Sequence, residues 1–398
     1  MVASGLTDRA ESLVRVDRYD LDLLRVAAVY GPNASGKSTL FDALSFMQEA
    51  VEDSQRLWKP SGEIPRVPFA LDPGWAEKPS TFVADLLIDD VRYEYGFVVD
   101  FTRVLEEWLY VYPKGRKQEW FTRDVQRKEE FAFSRMMPGE NRTIRLLTRP
   151  NSLFLSAAAQ NNHQALAPVF EWFQEIEFVD RDSRPMLTEI MAADCEDEEY
   201  RAAVLALLHA ADLGISEIEV VDRSILRKVV DWLAPSDNGP QHEVRLHHVT
   251  SEPGVDVALP FSDESGGTRA LFGLAGPVVD ALRDGSVLVI DELDQSLHSH
   301  LAMGIVNLFS DPASNPKNAQ LIFNTHDTNL LDGEILRRDQ VWFTEKGRDG
   351  ATHLFPLTDF HARKSENLER GYLQGRYGAI PSISAPQFPR DVLPATED

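Results

Sequence analysis

The sequence predicts an α/β fold: a core sheet of parallel strands, joined by an antiparallel β subdomain and a mostly helical insertion. Three observations carry this expectation. An apolar run at Leu24–Tyr30 ends at a glycine-rich turn, and Leu40, Leu44, Met47 and Val51 then recur at helical spacing. From Phe82 to Phe133, short stretches rich in Val, Tyr, Phe and Trp alternate with Asp, Pro and Gly. The last third returns to apolar runs separated by helical patterns, which imply a parallel sheet.

Strand, loop and helix open the chain. VRYEYGFVV at 91–99 and EEWLYVY at 106–112 read as strands of the antiparallel sheet. From Asn151 to Pro235 the pattern is mainly helical, with Leu205, Leu207 and Leu208 in an alanine-rich segment and a strand near Ile215–Val221. No heptad repeat is sustained there, which argues against a coiled-coil arm. Glu243–His248, the run at Val287–Ile290 and the run at Leu321–Asn324 supply further strands, with helices from Gly267 and Leu297 between them. Pro-bearing sequence after Ile383 is the one candidate for disorder.

Composition narrows the function classes. The 398 residues are 43% hydrophobic, enough apolar material for a substantial core. No apolar run approaches the ~18–20 residues of a membrane span, and the opening MVASGLTDRAES lacks signal-peptide character. A cytoplasmic protein without membrane contact is expected. The net charge of −24, from 40 basic and 64 acidic residues, opposes indiscriminate attraction to nucleic-acid backbones, so any DNA contact must be local. Cys195 is the single cysteine, without an intrachain disulfide partner and flanked by carboxylates that disfavour a thiolate.

Four stations carry chemistry. Gly31, Pro32, Asn33, Ala34, Ser35, Gly36, Lys37 and Ser38 spell G-x-x-x-x-G-K-S between an apolar strand and an amphipathic helix, the setting of a phosphate-binding loop. Glycines let successive N–H groups turn inward on a β-phosphate, the helix start adds its dipole, Lys37 reaches the β- and γ-phosphates, and Ser38 offers a hydroxyl to Mg²⁺. At the end of the strand VLVI stand Asp291 and Glu292. Asp291 fits a water-mediated magnesium partner, and Glu292 fits the base that orients the attacking water.

The third station, Glu264 to Thr268, sets Ser265, Gly266 and Gly267 at a helix start with free N–H donors. The fourth is His326, directly after the run that ends at Asn324, at a strand's carboxyl end where it can bond a γ-phosphate.

GPNASGKST, which extends the loop to Thr39, together with ESGGT, VLVIDELDQSLH and LIFNTHDTNLLD, resembles the ABC-type P-loop ATPase head. Within that class it is similar to the AAA15 family, related to the OLD ATPases. ERGYLQGRYGAIP near the end resembles a feature of that family too. The resemblance implies ATP and Mg²⁺ as ligands and a head-to-tail homodimer, extensible to a higher oligomer, in which Ser265, Gly266 and Gly267 of one chain close over the γ-phosphate held by the other. Ser296, Leu297 and His298 correspond to the loop after the catalytic acid. Gln160 is the candidate for the glutamine loop, and Lys37, Glu292 and His326 for the catalytic set. Such heads usually open with an additional strand, whereas this P-loop starts at residue 31, so the expectation is either a missing leading sheet edge or a start given too late.

The implied organisation is an ATP-binding lobe at 1–150, a mostly helical insertion at 151–240 and a second lobe at 241–398. Relatives act with a separately encoded effector in anti-phage systems such as Septu and retrons, whereas OLD proteins add a Toprim nuclease domain. Residues 327–398 are too few for one, so the chain is expected to lack a nuclease and to switch a partner nuclease or Toprim-type effector. The alternatives are a DNA-repair or chromosome-maintenance ATPase of RecF or SMC type, which would want a basic groove or coiled-coil arm, and a transporter's nucleotide-binding subunit. The latter's signature ends in glutamine where this one has Thr268.

Overall fold

The computed structural model describes residues 1–180, 190–211, 214–222, 242–252 and 254–380. Parts of the expected helical insertion, at 181–189, 212–213 and 223–240, and the proline-bearing end after Ile383 lie outside them.

In chain order the strands are β1 (Leu13–Val16), β2 (Leu21–Leu24), β3 (Val26–Tyr30), β4 (Ser80–Ile88), β5 (Val91–Val99), β6 (Val104–Tyr112), β7 (Gln118–Asp124), β8 (Phe131–Phe133), β9 (Glu177–Val179), β10 (Ile215–Asp222), β11 (His242–Val249), β12 (Asp256–Pro260), β13 (Val287–Ile290), β14 (Gln320–Asn324), β15 (Val341–Lys346) and β16 (Thr352–Pro356). Among the described residues they form four sheets. The central one has the order β16-β15-β3-β14-β13-β9, parallel throughout except for the β15–β16 hairpin. β1 and β2 pair with each other apart from the central sheet, and Leu23 of β2 also bridges Val2 antiparallel.

The central strands are short and apolar because both faces are covered. Along β3, Val26, Ala28 and Tyr30 join one core while Val29 joins the other. β13 divides likewise, Leu288 and Ile290 against Val287 and Val289. The first core holds the helices Glu198–Ala210, Gly266–Asp284 and Ser299–Ser310. On the other face the helix Lys37–Asp53, the helices Phe154–Gln160 and Ala167–Gln174, and the sheet β4–β8 complete the second. Each fully buried Leu, Ile or Phe at this sheet, such as Leu321, Phe323 and Ile290, contributes about 1.5–3 kcal/mol.

β4 to β8 form a sequential antiparallel meander, as the short aromatic stretches predict. A buried carboxylate ties it to the helices. Glu107 on β6 accepts hydrogen bonds from the backbone of Phe154 (2.6 Å) and Leu155 (3.0 Å) and from the Tyr95 hydroxyl (3.0 Å), and so satisfies the open N-terminus of the helix Phe154–Gln160.

One expectation is corrected. Glu243–His248 reads in the sequence as part of the parallel alternation, yet β11 pairs antiparallel with β10 and β12 in a separate three-stranded sheet. For β12 the cause is local: Thr250 donates twice to the Val255 carbonyl (2.7 and 3.2 Å), and a chain reversed within so few residues can only pair antiparallel. For Cys195, burial rather than the flanking carboxylates is the main reason its thiol is pushed up to about 11. Among the described residues no helix is long and apolar enough to cross a membrane.

Candidate nucleotide-binding site

The loop Gly31–Gly36 runs from the carboxyl end of β3 into the helix Lys37–Asp53. Its curl needs left-handed backbone at Ala34 (φ 63°) and at Gly36 (φ 97°), the residue that caps the helix without a side chain. Lys37 is 7% exposed, and its ammonium donates back to the carbonyl oxygens of Gly31 (2.8 Å) and Pro32 (3.3 Å). Burial pushes its pKa down, while Glu292, Asp291 and Asp294 pull the other way. The Lys37 charge is therefore held against the loop, with three carboxylates near it.

Parallel pairing sets the strand ends level: Ile290 stands beside Phe323, and Asn324 beside Val29. Asp291, just past β13, lies with its carboxylate oxygens 3.0 and 3.2 Å from the Ser38 hydroxyl. Asn324, fully buried, donates through its amide to Asp291 and accepts from the backbone N–H of Glu292 (2.8 Å). That second bond holds Glu292 at φ 56°, a left-handed conformation that a side chain such as glutamate rarely adopts. The strain is local to the residue expected to do the chemistry.

Asp294 then receives the Thr325 hydroxyl (2.7 Å) and the His326 backbone N–H (3.2 Å), which fixes the turn after β14 to the turn after β13. Desolvation, then the Lys37 ammonium, push the His326 imidazole below its usual range, against Asp294 and Glu292. A neutral ring can donate a hydrogen bond through one nitrogen at neutral pH. P-loop, paired acids and histidine thus meet at one edge of the sheet.

The donor set fits magnesium. Ser38 and Asp291 present hard oxygens close together, and an ion held chiefly by nucleotide phosphates and water needs only one or two protein ligands. Among the described residues no group of three or more His, Cys, Asp or Glu is disposed to cage a metal.

Residues 26–332 match the profile of a protein family described as "AAA domain, putative AbiEii toxin, Type IV TA system". The chain belongs to this family. It accordingly carries an AAA domain, a P-loop NTPase unit. No curated protein matches it. Similar solved structures include the SMC head domain from Thermotoga maritima, 16% identical over 83% of this chain and 90% of that one, at a TM-score of 0.41. Another is cbiO1 from Clostridium perfringens, part of the ABC transporter complex cbiONQ, 13% identical over 94% and 97%, at 0.32.

The remaining candidate residues of this AAA domain fall in two places. Ser265 caps the helix Gly266–Asp284, its hydroxyl accepting from the Thr268 N–H (3.1 Å), while Glu264 before it bonds the His248 ring (2.7 Å). A Cβ on Gly267 would come within 3.3 Å of the Ser296 carbonyl, so the glycine lets the cap lie against the loop Ser296–His298 of its own chain. In that loop Ser296 has φ 63°, and His298 caps the helix Ser299–Ser310 by accepting from the His300 N–H (3.2 Å). Gln160 ends the helix Phe154–Gln160 and is exposed. The strand end beside Asp291 carries Asp180 instead: the Asp291 N–H donates to Val179 O (2.9 Å), and both acids raise the pKa of Asp42, behind burial as the main cause.

The P-loop is also held from a quarter that sequence reading missed, beyond the residues matched to the family. Ser35 meets the Thr344 hydroxyl at 2.6 Å, and its carbonyl accepts from Thr352 (2.9 Å). A Cβ on Gly31 would overlap Thr344, and one on Gly36 would overlap Thr352. The glycines therefore do more than free the backbone: they make room for two threonines of the β15–β16 hairpin. No local signal marks those threonines.

Proposed function

We propose that the protein binds and hydrolyses ATP with magnesium, as a switch whose two sites are completed by head-to-tail pairing of two chains. The observation that carries this reading is the 3.0 Å approach of Ser38 to Asp291, with Glu292 and His326 on the same edge. The loop N–H groups and Lys37 would hold the β- and γ-phosphates, and Ser38 and Asp291 would hold the ion. Magnesium, when bound, neutralises phosphate charge. Glu292, held by Asn324, would orient and deprotonate the attacking water. Neutral His326 would donate to the γ-phosphate, and Ser265–Gly267 of the second chain would close the site with helix-start N–H groups.

At finer grain we place the chain near the AAA15 and OLD ATPases, controlling a separately encoded effector in anti-phage defence. The toxin–antitoxin description of the matched family supports a role in such conflict systems. Glu292→Gln tests the chemistry. It should keep affinity for a non-hydrolysable ATP analogue and slow phosphate release by roughly 10²–10⁴; hydrolysis at the wild-type rate would move the catalytic base elsewhere.

A further inference from the structure

The motif ERGYLQGRYG, at 369–378, has no task in the reading above, and the structure joins it to the segment that follows His326. Residues 325–329 are tied to several other parts of the fold. Thr325 and His326 are held by Asp294. The Asp327 carbonyl accepts from the buried Tyr30 hydroxyl at the end of β3 (3.2 Å). Thr328 donates its hydroxyl to Glu369 (2.9 Å), and Asn329 donates to Ser299 at the start of the helix after His298 (3.1 Å). Glu369 belongs to the short helix Leu368–Leu373, which Asn367 caps (2.6 Å).

That helix is anchored to the sheet. Tyr372 meets Tyr30 edge-on (5.8 Å) and stacks on Phe343 (5.5 Å), and Tyr377 stacks on Phe343 as well (5.8 Å). The Tyr372 hydroxyl donates to the Ala379 carbonyl (3.0 Å) and the Tyr377 hydroxyl to Glu366 (2.8 Å). Gly371 has no side chain because a Cβ there would run into the Tyr377 ring. Glu369 is thus a carboxylate on a packed platform, aimed at a hydroxyl two residues beyond the histidine.

We infer that Glu369 is a positioning residue for hydrolysis, acting through Thr328 to set His326 against the γ-phosphate. The inference rests on the switch role given to His326 above. A hydrogen bond to a charged acceptor between rigid supports fixes the backbone of residues 326–328, and the histidine's reach is set by that backbone. Because Tyr30 closes the strand that opens the P-loop, the same platform touches both halves of the site. The motif would then serve as the seat on which the switch segment is held.

The test is steady-state ATP hydrolysis, with analogue affinity measured by calorimetry, for Glu369→Ala, Glu369→Gln, Thr328→Val, the Glu369→Ala/Thr328→Val double variant and His326→Ala. Glu369→Ala should lower kcat roughly tenfold, the worth of one such bond, with KM and analogue affinity near wild type. Glu369→Gln keeps an acceptor oxygen and should retain most of the activity. Thr328→Val should copy Glu369→Ala without touching the helix, and the double variant should be no worse than either single. Wild-type kcat in Glu369→Ala, or additive losses in the double variant, with His326→Ala inactive, would overturn the inference alone. If His326→Ala hydrolyses normally, the role of the histidine falls and the inference falls with it.

Discussion

Glu177 is a carboxylate placed where its charge is unwelcome. It lies on β9, and burial, followed by the facing Asp280 of the helix Gly266–Asp284, pushes it up to about 7. Asp280 is itself raised, by burial first, although Tyr200 donates to it at 3.0 Å; Asp194, Asp284 and Arg283 complete the charges around it. Since the folded pKa lies above the unfolded value, the group's contribution to stability is complete below pH 4.5 and is lost as pH rises through 7. Wild type should therefore lose on the order of 1–3 kcal/mol more than Glu177→Gln between pH 5 and pH 8, read by urea unfolding at each pH. Parallel curves for the two proteins would remove Glu177 from this account. None of this is legible in the sequence, where Glu177 is one acid among 64; its environment is made by a helix a hundred residues away. Asp291 and His326 are legible because each closely follows an apolar run, where the strand itself marks the position, and Lys37 because it stands in the fixed spacing of the glycine loop.

Hairpin β15–β16 shows the same contrast for elements. The meander β4–β8 is readable because its pairings are local and its turns carry their own residues. Thr344 and Thr352 are not, because they reach Ser35 from 309 and 317 positions away. Their importance is testable through Gly36. Gly36→Ala puts a Cβ into Thr352 at a residue with φ 97°; the backbone term alone is about 1–2 kcal/mol. The variant should unfold at lower denaturant and bind the ATP analogue at least tenfold more weakly. Adding Thr352→Ala, which removes Oγ1 and Cγ2 but keeps Cβ, should recover most of the steric part and leave the backbone part. Unaltered stability in Gly36→Ala would mean the hairpin yields freely. The misread β11 belongs here too, since an apolar strand pattern is silent about whether its partner runs parallel or antiparallel.

For the whole molecule, the issue is where the signature helix finds its nucleotide. Ser265 and Gly267 contact Thr268 and Ser296 of their own chain, and the cap's N–H groups begin a helix nineteen residues long. If pairing is head to tail, each composite site draws Lys37 from one chain and Ser265 from the other. Homodimers of Lys37→Ala or of Ser265→Arg then carry one defect in every site and should be nearly inactive. A heterodimer of the two concentrates both defects in one site and leaves the other intact. Tandem-affinity-purified heterodimers should recover a large part of half the wild-type phosphate release. Heterodimers as inactive as their parents would count against shared sites. The sequence supplied the motifs in order along the chain; the meeting of P-loop, paired acids and histidine at one sheet edge is set by the register of β3, β13 and β14.

That register has a temporal side. Both neighbours of β3 are made late: its ladders run to Leu321–Asn324 on one flank and Val341–Phe343 on the other. On the ribosome, at roughly 5–20 residues per second, the strand VAAVY and the glycine loop behind it emerge early and wait tens of seconds for a place in the sheet. During that interval a nascent chain has an apolar segment with open hydrogen-bonding edges on both sides and no acid to meet Ser38. A loop that is completed only when Asp291 meets Ser38 therefore stays half-built until β13 and β14 have been made.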